Sequence, residues 1–353
     1  MGIRNTLYAP FSNDIGIDLG TANSLVYVRG KGIVMNEPSV VALNQKTGQV
    51  VAVGRRAKEM LGRTPQHIRA VRPLVNGVIS DFEVTEEMLA YFLRTAQRGT
   101  RAFVGPRVVV GVPSGITNVE SRAVRDAAKS AGAREVYIVE EPLAAAIGMR
   151  LAVHEARAHM VVDIGGGTTD IAVMALNGLI RAKNLHVAGD RLNADIVTHL
   201  RDEFKIVIGE TTAEDLKFAV CSVLDGAAPL EAPVRGRDLV TGLPKEVMIT
   251  GEDVHEAVRG SVDTIVEGVR SVLEESPPTV VSDVMQVGIH LTGGGALIRG
   301  VPELLVSLLE IPVNVANEPL TTVVRGAGMI VEQLRAFHDI LLDEDALPAF
   351  ENN

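Results

Sequence analysis

One short device occurs twice in this chain, and it restricts the possible folds more than any other feature. Asp18-Leu19-Gly20-Thr21-Ala22-Asn23 closes an apolar run that starts at Ile15 and leads into the β-prone Ser24-Leu25-Val26-Tyr27-Val28. Asp163-Ile164-Gly165-Gly166-Gly167-Thr168-Thr169 closes the run from His159 and leads into Ile171-Ala172-Val173-Met174. In each copy an aspartate ends a strand, a Gly/Thr turn follows, and a second strand doubles back. That is a hairpin, not the strand-to-helix turn of a dinucleotide-binding fold. The aspartates lie 145 residues apart. Two copies of one device in the two halves of a chain predict duplicated α/β lobes that face each other. The 353 residues, 46% of them hydrophobic and 22% charged, supply apolar material for two such cores and exclude disorder as the main state.

The same composition removes several function classes. A formal charge of −10 argues against a protein that tracks nucleic-acid phosphates or anchors through a polybasic patch. Aromatic residues make up 3%, with no Trp, so stacking platforms for single-stranded nucleic acid are hard to build. The single cysteine, Cys221, can form neither an intramolecular disulfide nor a Cys-rich metal site, and its apolar flanks read as core. No window approaches the ~18 apolar residues of a membrane span and no signal peptide opens the chain, so a cytoplasmic location is expected.

The pass along the chain predicts β-rich text over 32–54, a short helix over 57–61, helices over 85–98 and 118–131, and strands over 107–112 and 135–139. Pro142 opens an Ala-rich helix, as proline at a first helical position often does. Further on, helices are expected over 190–204, 212–224, 251–275, 302–309 and 321–340, and strands over 287–291 and, as the last, 311–315. The opening Met1–Asn13 has no strong period, and the acidic end Asp343–Asn353 is expected to fray.

Three glycine turns follow apolar strands: Gly20-Thr21, Gly165 to Thr169 and Gly293-Gly294-Gly295. Glycine lets a backbone approach a phosphate closely and points successive N–H groups at an anion. A plain tight turn is the bland alternative for each alone, but three at strand ends, two with an aspartate just ahead and a threonine after, favour a nucleotide clamp. Neither the Walker A spacing nor Gly-x-Gly-x-x-Gly before a helix is present, so phosphates are expected between two hairpins, one per lobe. Asp18 and Asp163 would then serve a hydrated Mg²⁺, an ion that keeps several waters and prefers carboxylate oxygen.

At this point the sequence resembles the MreB family of bacterial actin homologues. The resemblance runs from about Asn13 to about Gly328 through the two Asp-Gly-Thr blocks, Asn36-Glu37-Pro38-Ser39, Val112-Pro113-Ser114-Gly115, Glu140-Glu141-Pro142-Leu143-Ala144-Ala145, Arg235-Gly236-Arg237-Asp238-Leu239 and Leu291-Thr292-Gly293-Gly294-Gly295-Ala296-Leu297. It implies an actin-like ATPase fold, α/β, with two duplicated RNase H-like lobes, a nucleotide cleft between them and four subdomains. These are IA over 1–33, 67–145 and 320–353, IB over 34–66, IIA over 146–182 and 247–319, and IIB over 183–246. By the same resemblance, Gly20, Thr21, Ala22 and Asn23 match the first phosphate hairpin, and Gly165, Gly166, Gly167, Thr168 and Thr169 the second. Gly189 and Asp190 border ribose and phosphates, Glu214 and Lys217 lie on the adenosine side, and Gly293, Gly294, Gly295, Ala296 and Leu297 form the loop beneath the base. Glu141, with Thr168, is implied to orient the attacking water. The alternatives are that Glu141 is a helix-terminal carboxylate favoured by the dipole and Lys217 a solvated surface lysine.

The family further implies ATP hydrolysis coupled to polymerisation, self-association into antiparallel double protofilaments, and a peripheral position on the inner face of the cell membrane. There it contacts inner-membrane lipid and membrane proteins of the cell-wall elongation machinery, in the service of cell shape and peptidoglycan synthesis. A membrane-inserting loop would be Ala102-Phe103-Val104, apolar between Arg101 and Arg107; a loop whose Phe packs on its own lobe is the other reading. The chain departs from the pattern at Val75-Asn76, Asp170, Phe218 to Ser222 and Arg325, which suggests a paralogue. Two other readings compete with the filament ATPase. One is a non-polymerising regulator or scaffold that uses ATP as a conformational switch. The other is a sugar kinase of the same superfamily, which needs a general-base aspartate; Glu141 stands at the nearest equivalent place and the blocks match the MreB family throughout, which ranks this reading last.

Overall fold

The computed structural model describes residues 14–98, 105–226 and 229–342. In the first half β1 (Ile15–Leu19), β2 (Asn23–Val28) and β3 (Gly32–Pro38) form an antiparallel meander. A separate small sheet follows, from β4 (Val41–Asn44), β5 (Val50–Val53) and β6 (Ile68–Val71) with the short helix α1 (Arg55–Lys58), and then a two-stranded hairpin of β7 (Leu74–Val75) and β8 (Val78–Ile79). After α2 (Phe82–Ala96), β9 (Arg107–Val112) pairs parallel to β1; after α3 (Asn118–Ser130), β10 (Glu135–Glu140) pairs parallel to β9 and runs into α4 (Glu141–Gly148).

The second half repeats this. The strands β11 (His159–Ile164), β12 (Thr169–Ala175) and β13 (Gly178–Leu185) form the meander. An insertion follows, built from α5 (Gly189–Glu203), β14 (Ile206–Val207), α6 (Glu210–Val220), β15 (Glu231–Asp238) and β16 (Pro244–Thr250). After α7 (Gly251–Glu274) and α8 (Pro278–Val287), β17 (Ile289–Thr292) joins β11 in parallel; after α9 (Val301–Leu309), β18 (Val313–Val315) joins β17. The sheets have the orders β3-β2-β1-β9-β10 and β13-β12-β11-β17-β18, the same topology twice. The chain ends its described course with α10 (Thr322–Glu332) and β19 (Leu341–Leu342), which pairs with β10 of the first sheet.

Period-two alternation within apolar runs explains the layering. In β9, Val108 and Val110 join the first lobe's core with Ile15, Ile17, Met88 and Phe92, while Val109 faces the other way. In β11, Met160 and Val162 join the second core with Val258 and Val269, while Val161 faces the other way. Strands covered on both faces need no polar side and read as continuous apolar runs. The outward-turned Val109 and Val161 meet in a third cluster with Ala144, Ala145, Val323 and Ala327, which joins the lobes through α4 and α10. These helices cross with almost no room. A Cβ on Gly326 would lie 1.8 Å from the Ala144 carbonyl oxygen, and one on Gly148 2.0 Å from that of Thr322.

Helix starts follow the local chemistry. Asp81 caps α2 by accepting from the Val84 N–H at 3.2 Å, and Thr117/Glu120 and Thr250/Asp253 form capping boxes on α3 and α7. Three expectations are corrected. The last helix stops at Glu332, not Ile340, because Leu341 and Leu342 turn back to cover the edge of β10, where buried Arg125 donates to the carbonyls of Val136 and Leu342. The last strand is therefore β19 and not 311–315. A helix, α8, occupies 278–287, where no element is expected from the sequence, with Pro278 at the first helical position; the strand expected from Val287 starts only at Ile289. Among the described residues no helix is long and apolar enough to cross a membrane.

Candidate functional site

A cleft of about 450 Å³ opens where the two hairpin turns face each other. Its first wall is the β1–β2 turn. Ser39, just past β3, pins this turn: its hydroxyl lies 2.5 Å from the Gly20 carbonyl oxygen and its N–H donates to that of Ala22 at 3.0 Å. The Thr21 hydroxyl accepts from the Gly77 N–H at 2.9 Å, which ties the turn to the β7–β8 hairpin. The opposing wall is the β11–β12 turn, closed by the Gly165 N–H donating to the Thr168 carbonyl at 2.9 Å. Gly166 packs against Ala22 and Gly167 against Thr21, so the two turns touch.

The third glycine turn completes the cleft from β17. Gly293 takes φ +81°, and a Cβ there would sit 2.3 Å from a carboxylate oxygen of Asp163, a position only glycine fills without strain. The N-terminus of α5 docks on the second turn: the N–H groups of Gly189 and Asp190 donate to the carbonyls of Gly165 and Gly166 at 3.2 and 2.7 Å. From α6, the Lys217 ammonium donates to the Gly189 carbonyl at 2.9 Å.

Four carboxylates line the cleft close enough to feel each other's charge: Asp18, Asp163, Glu141 and Asp170. Burial pushes Asp18 up to about 7. Burial first, and then the negative charge of its neighbours, raises Glu141 and Asp163 well above the usual carboxylate range. Burial also raises Asp170, against the hydrogen bonds it accepts from Ser114 and Asn184. Among the described residues no Lys or Arg pairs with Asp18, Asp163 or Glu141. Uncompensated buried charge with only oxygen donors is a setting that a divalent cation neutralises. Among the described residues no three His, Cys, Asp or Glu side chains converge on one metal position. That donor set suits an ion held largely by water and ligand phosphates, as Mg²⁺ is, rather than one caged by protein.

Of the residues expected from the sequence, Gly20, Thr21, Ala22, Asn23, Gly165, Gly166, Gly167, Thr168, Gly189, Asp190, Glu214, Lys217, Gly293, Gly294, Gly295 and Leu297 all line this cleft, with Asp18, Asp163 and Glu141. Two expected residues do not. Thr169 lies in β12 with its hydroxyl donating to the Val187 carbonyl at 2.7 Å, and Ala296 is buried in the second core beneath the loop. Strand alternation turns Thr169 away, and core packing takes in Ala296. Lys217 is buried, which overturns the reading as a solvated lysine; its burial lowers its proton affinity. Glu141 is both the first residue of α4 and a cleft residue. Cys221 is buried as expected, with its thiol pushed up to about 11 by burial, yet it lies on the cleft wall. Ala102, Phe103 and Val104 lie outside the described residues, as do Met1–Asn13 and Asp343–Asn353.

Sequence reasoning missed Asn36, Gly77, Ile298, Arg299, Leu320 and Thr322 on the cleft wall. Gly77 lies in the turn of the short β7–β8 hairpin and Ile298 and Arg299 directly follow the third glycine turn, whereas Asn36, Leu320 and Thr322 are brought in only by the tertiary fold. Asp170 was visible one residue beyond the second turn.

The MreB/Mbl protein family model matches residues 12–339. The chain is 46% identical over 325 residues to the cell shape-determining protein Mbl of Bacillus subtilis, covering 92% of this chain and 97% of that one. It is 47% identical over 339 residues to the cell shape-determining protein MreB of Escherichia coli, covering 95% and 98%. Its structure is similar to that of MreB5 of Spiroplasma citri bound to ADP, with a TM-score of 0.88, 35% identity and coverage of 93% and 98%. The MamK double helical filament, at 23% identity and a TM-score of 0.77 over 91% and 99% of the chains, is similar in fold. The actin-like α/β fold expected from the sequence holds.

Proposed function

The chain belongs to the MreB/Mbl family, and from that premise we propose that it is an ATP-binding and ATP-hydrolysing filament protein that serves cell shape and cell-wall synthesis. The observation that carries this reading is the meeting, in one cleft, of two duplicated hairpin turns and four carboxylates, Asp163 and Asp170 buried and Asp18 and Glu141 half-buried. Similarity to a relative solved with ADP, and to one solved with AMPPNP, supports a nucleotide as the ligand.

In the proposed mechanism the backbone N–H groups of both turns hold the phosphates, and Glu141 with Thr168 orients a water in line with the terminal phosphoryl group. Positioning and charge neutralisation are most of what a protein contributes to this reaction. Asp18 and Asp163 would hold Mg²⁺ through its waters, and that ion supplies compensation of the phosphate charge. The raised proton affinity of Glu141 suits a group that accepts a proton from the attacking water.

We assign to the chain the four-subdomain division of an actin-like protein at the boundaries given above. Its self-association would take the form of antiparallel double protofilaments, peripheral on the inner face of the cell membrane. There it would contact lipid, through Ala102-Phe103-Val104, and membrane proteins of wall elongation. With a net charge of −10, lipid binding would come from apolar insertion multiplied along a filament. Sedimentation and electron microscopy with ATP, ADP and no nucleotide test the reading. Filaments that depend on nucleotide are expected, and nucleotide binding without filaments under any condition would replace it with a ligand-gated switch.

A further inference from the structure

The face of α6 that looks into the cleft carries more than the residues expected there. Glu210, Glu214, Lys217, Phe218 and Cys221 fall on one helical stripe. All but Glu210 line the cleft, with Leu297, Ile298 and Leu320 also on its wall. Phe218 is 66% exposed, Leu297 56% and Leu320 50%. Large apolar side chains left open on the wall of a cleft are surface that a ligand covers.

The polar groups at this end are already engaged. Glu214 pairs with Lys58 at 2.7 Å, Lys217 donates to the Gly189 carbonyl, and Arg299 donates to the Ala219 carbonyl at 3.0 Å. What remains is apolar and suits an uncharged aromatic ring rather than a phosphate. The Lys217 ammonium lies 5.4 Å from the centroid of the Phe218 ring, within cation–π distance. The phosphate turns line the same cleft, so this wall is within reach of the base of a nucleotide seated on them.

We infer that Phe218 is the stacking residue for the base of the bound nucleotide. This rests on the nucleotide reading above and adds to it a base-side residue.

The chain has no tryptophan, so Phe218→Trp in the full-length protein introduces a lone fluorophore at an exposed position. Its emission is expected to be quenched by ADP and unaffected by inorganic tripolyphosphate, which has no base. Calorimetry should show ADP binding about tenfold weaker in Phe218→Ala, the size of one base–aromatic stack, and near wild type in Phe218→Trp. Tripolyphosphate affinity should not change in either variant. ADP binding of wild-type strength in Phe218→Ala would overturn the inference, and so would equal quenching by tripolyphosphate. If the wild-type protein bound tripolyphosphate but no ADP, the nucleotide reading itself would fall, and this assignment with it.

Discussion

At the scale of single residues, the cleft depends on placing carboxylates where water does not stabilise their charge. Glu141 sits at the first position of α4, where a helix dipole favours an anion, yet burial and the charges of Asp170, Asp18 and Asp163 outweigh that and raise its proton affinity. If it positions the attacking water, Glu141→Ala should slow single-turnover phosphate release about a hundredfold or more while ATP affinity stays within about threefold. Phosphate release at the wild-type rate would remove Glu141 from the mechanism. The glycines and acids of both hairpins were legible in the sequence, because a turn is a local event whose chemistry shows in adjacent residues. The resemblance implies Thr169 and Ala296 at the site, and strand alternation and core packing turn them away.

At the scale of elements, α4 and α10 are the joint between the lobes, and their approach is set by backbone rather than side-chain contact. A Cβ on Gly326 would lie 1.8 Å from the Ala144 carbonyl oxygen and 2.6 Å from its carbon, and no rotamer moves a Cβ. Gly326→Ala should therefore destabilise the protein by about 1–3 kcal/mol, the usual cost of overpacking, and lower its thermal midpoint. Gly260, exposed on α7 with nothing within 4 Å of its added Cβ, is the control; there alanine should be neutral or stabilise by about 0.5–1 kcal/mol. Equal behaviour of the two variants would show that the helices separate freely. Most helices could be read from apolar spacing and caps to within a few residues. The exceptions, α8 and the tail of α10, were decided by long-range contact: Asp283 of α8 accepts from the Ala158 N–H at 2.9 Å, and β19 leaves the helix to pair with β10.

At the scale of the whole molecule, the lobes also meet across the mouth of the cleft. Lys58 of the small sheet's helix pairs with Glu214 at 2.7 Å, and Arg72 pairs with Glu210 at 2.5 Å, both acids on α6 of the other lobe. These pairs are partly exposed, so each contributes only about 0.2–1 kcal/mol and weakens with salt. The Lys58→Ala/Arg72→Ala double variant should release bound ADP about three- to tenfold faster in stopped-flow displacement, and high salt should accelerate the wild type far more than the variant. Unchanged release would mean that closure rests on the touching turns alone. The duplication, the hairpins and the aspartates Asp18 and Asp163 can be read from the chain alone, because local backbone chemistry and a repeated pattern need no partner to be visible. Only the tertiary structure decided that Lys217 is buried, that Phe218 and Leu320 share a wall, and that two weak ion pairs bridge the lobes. Those facts depend on which surfaces residues far apart in the chain bring together, and no local pattern encodes that.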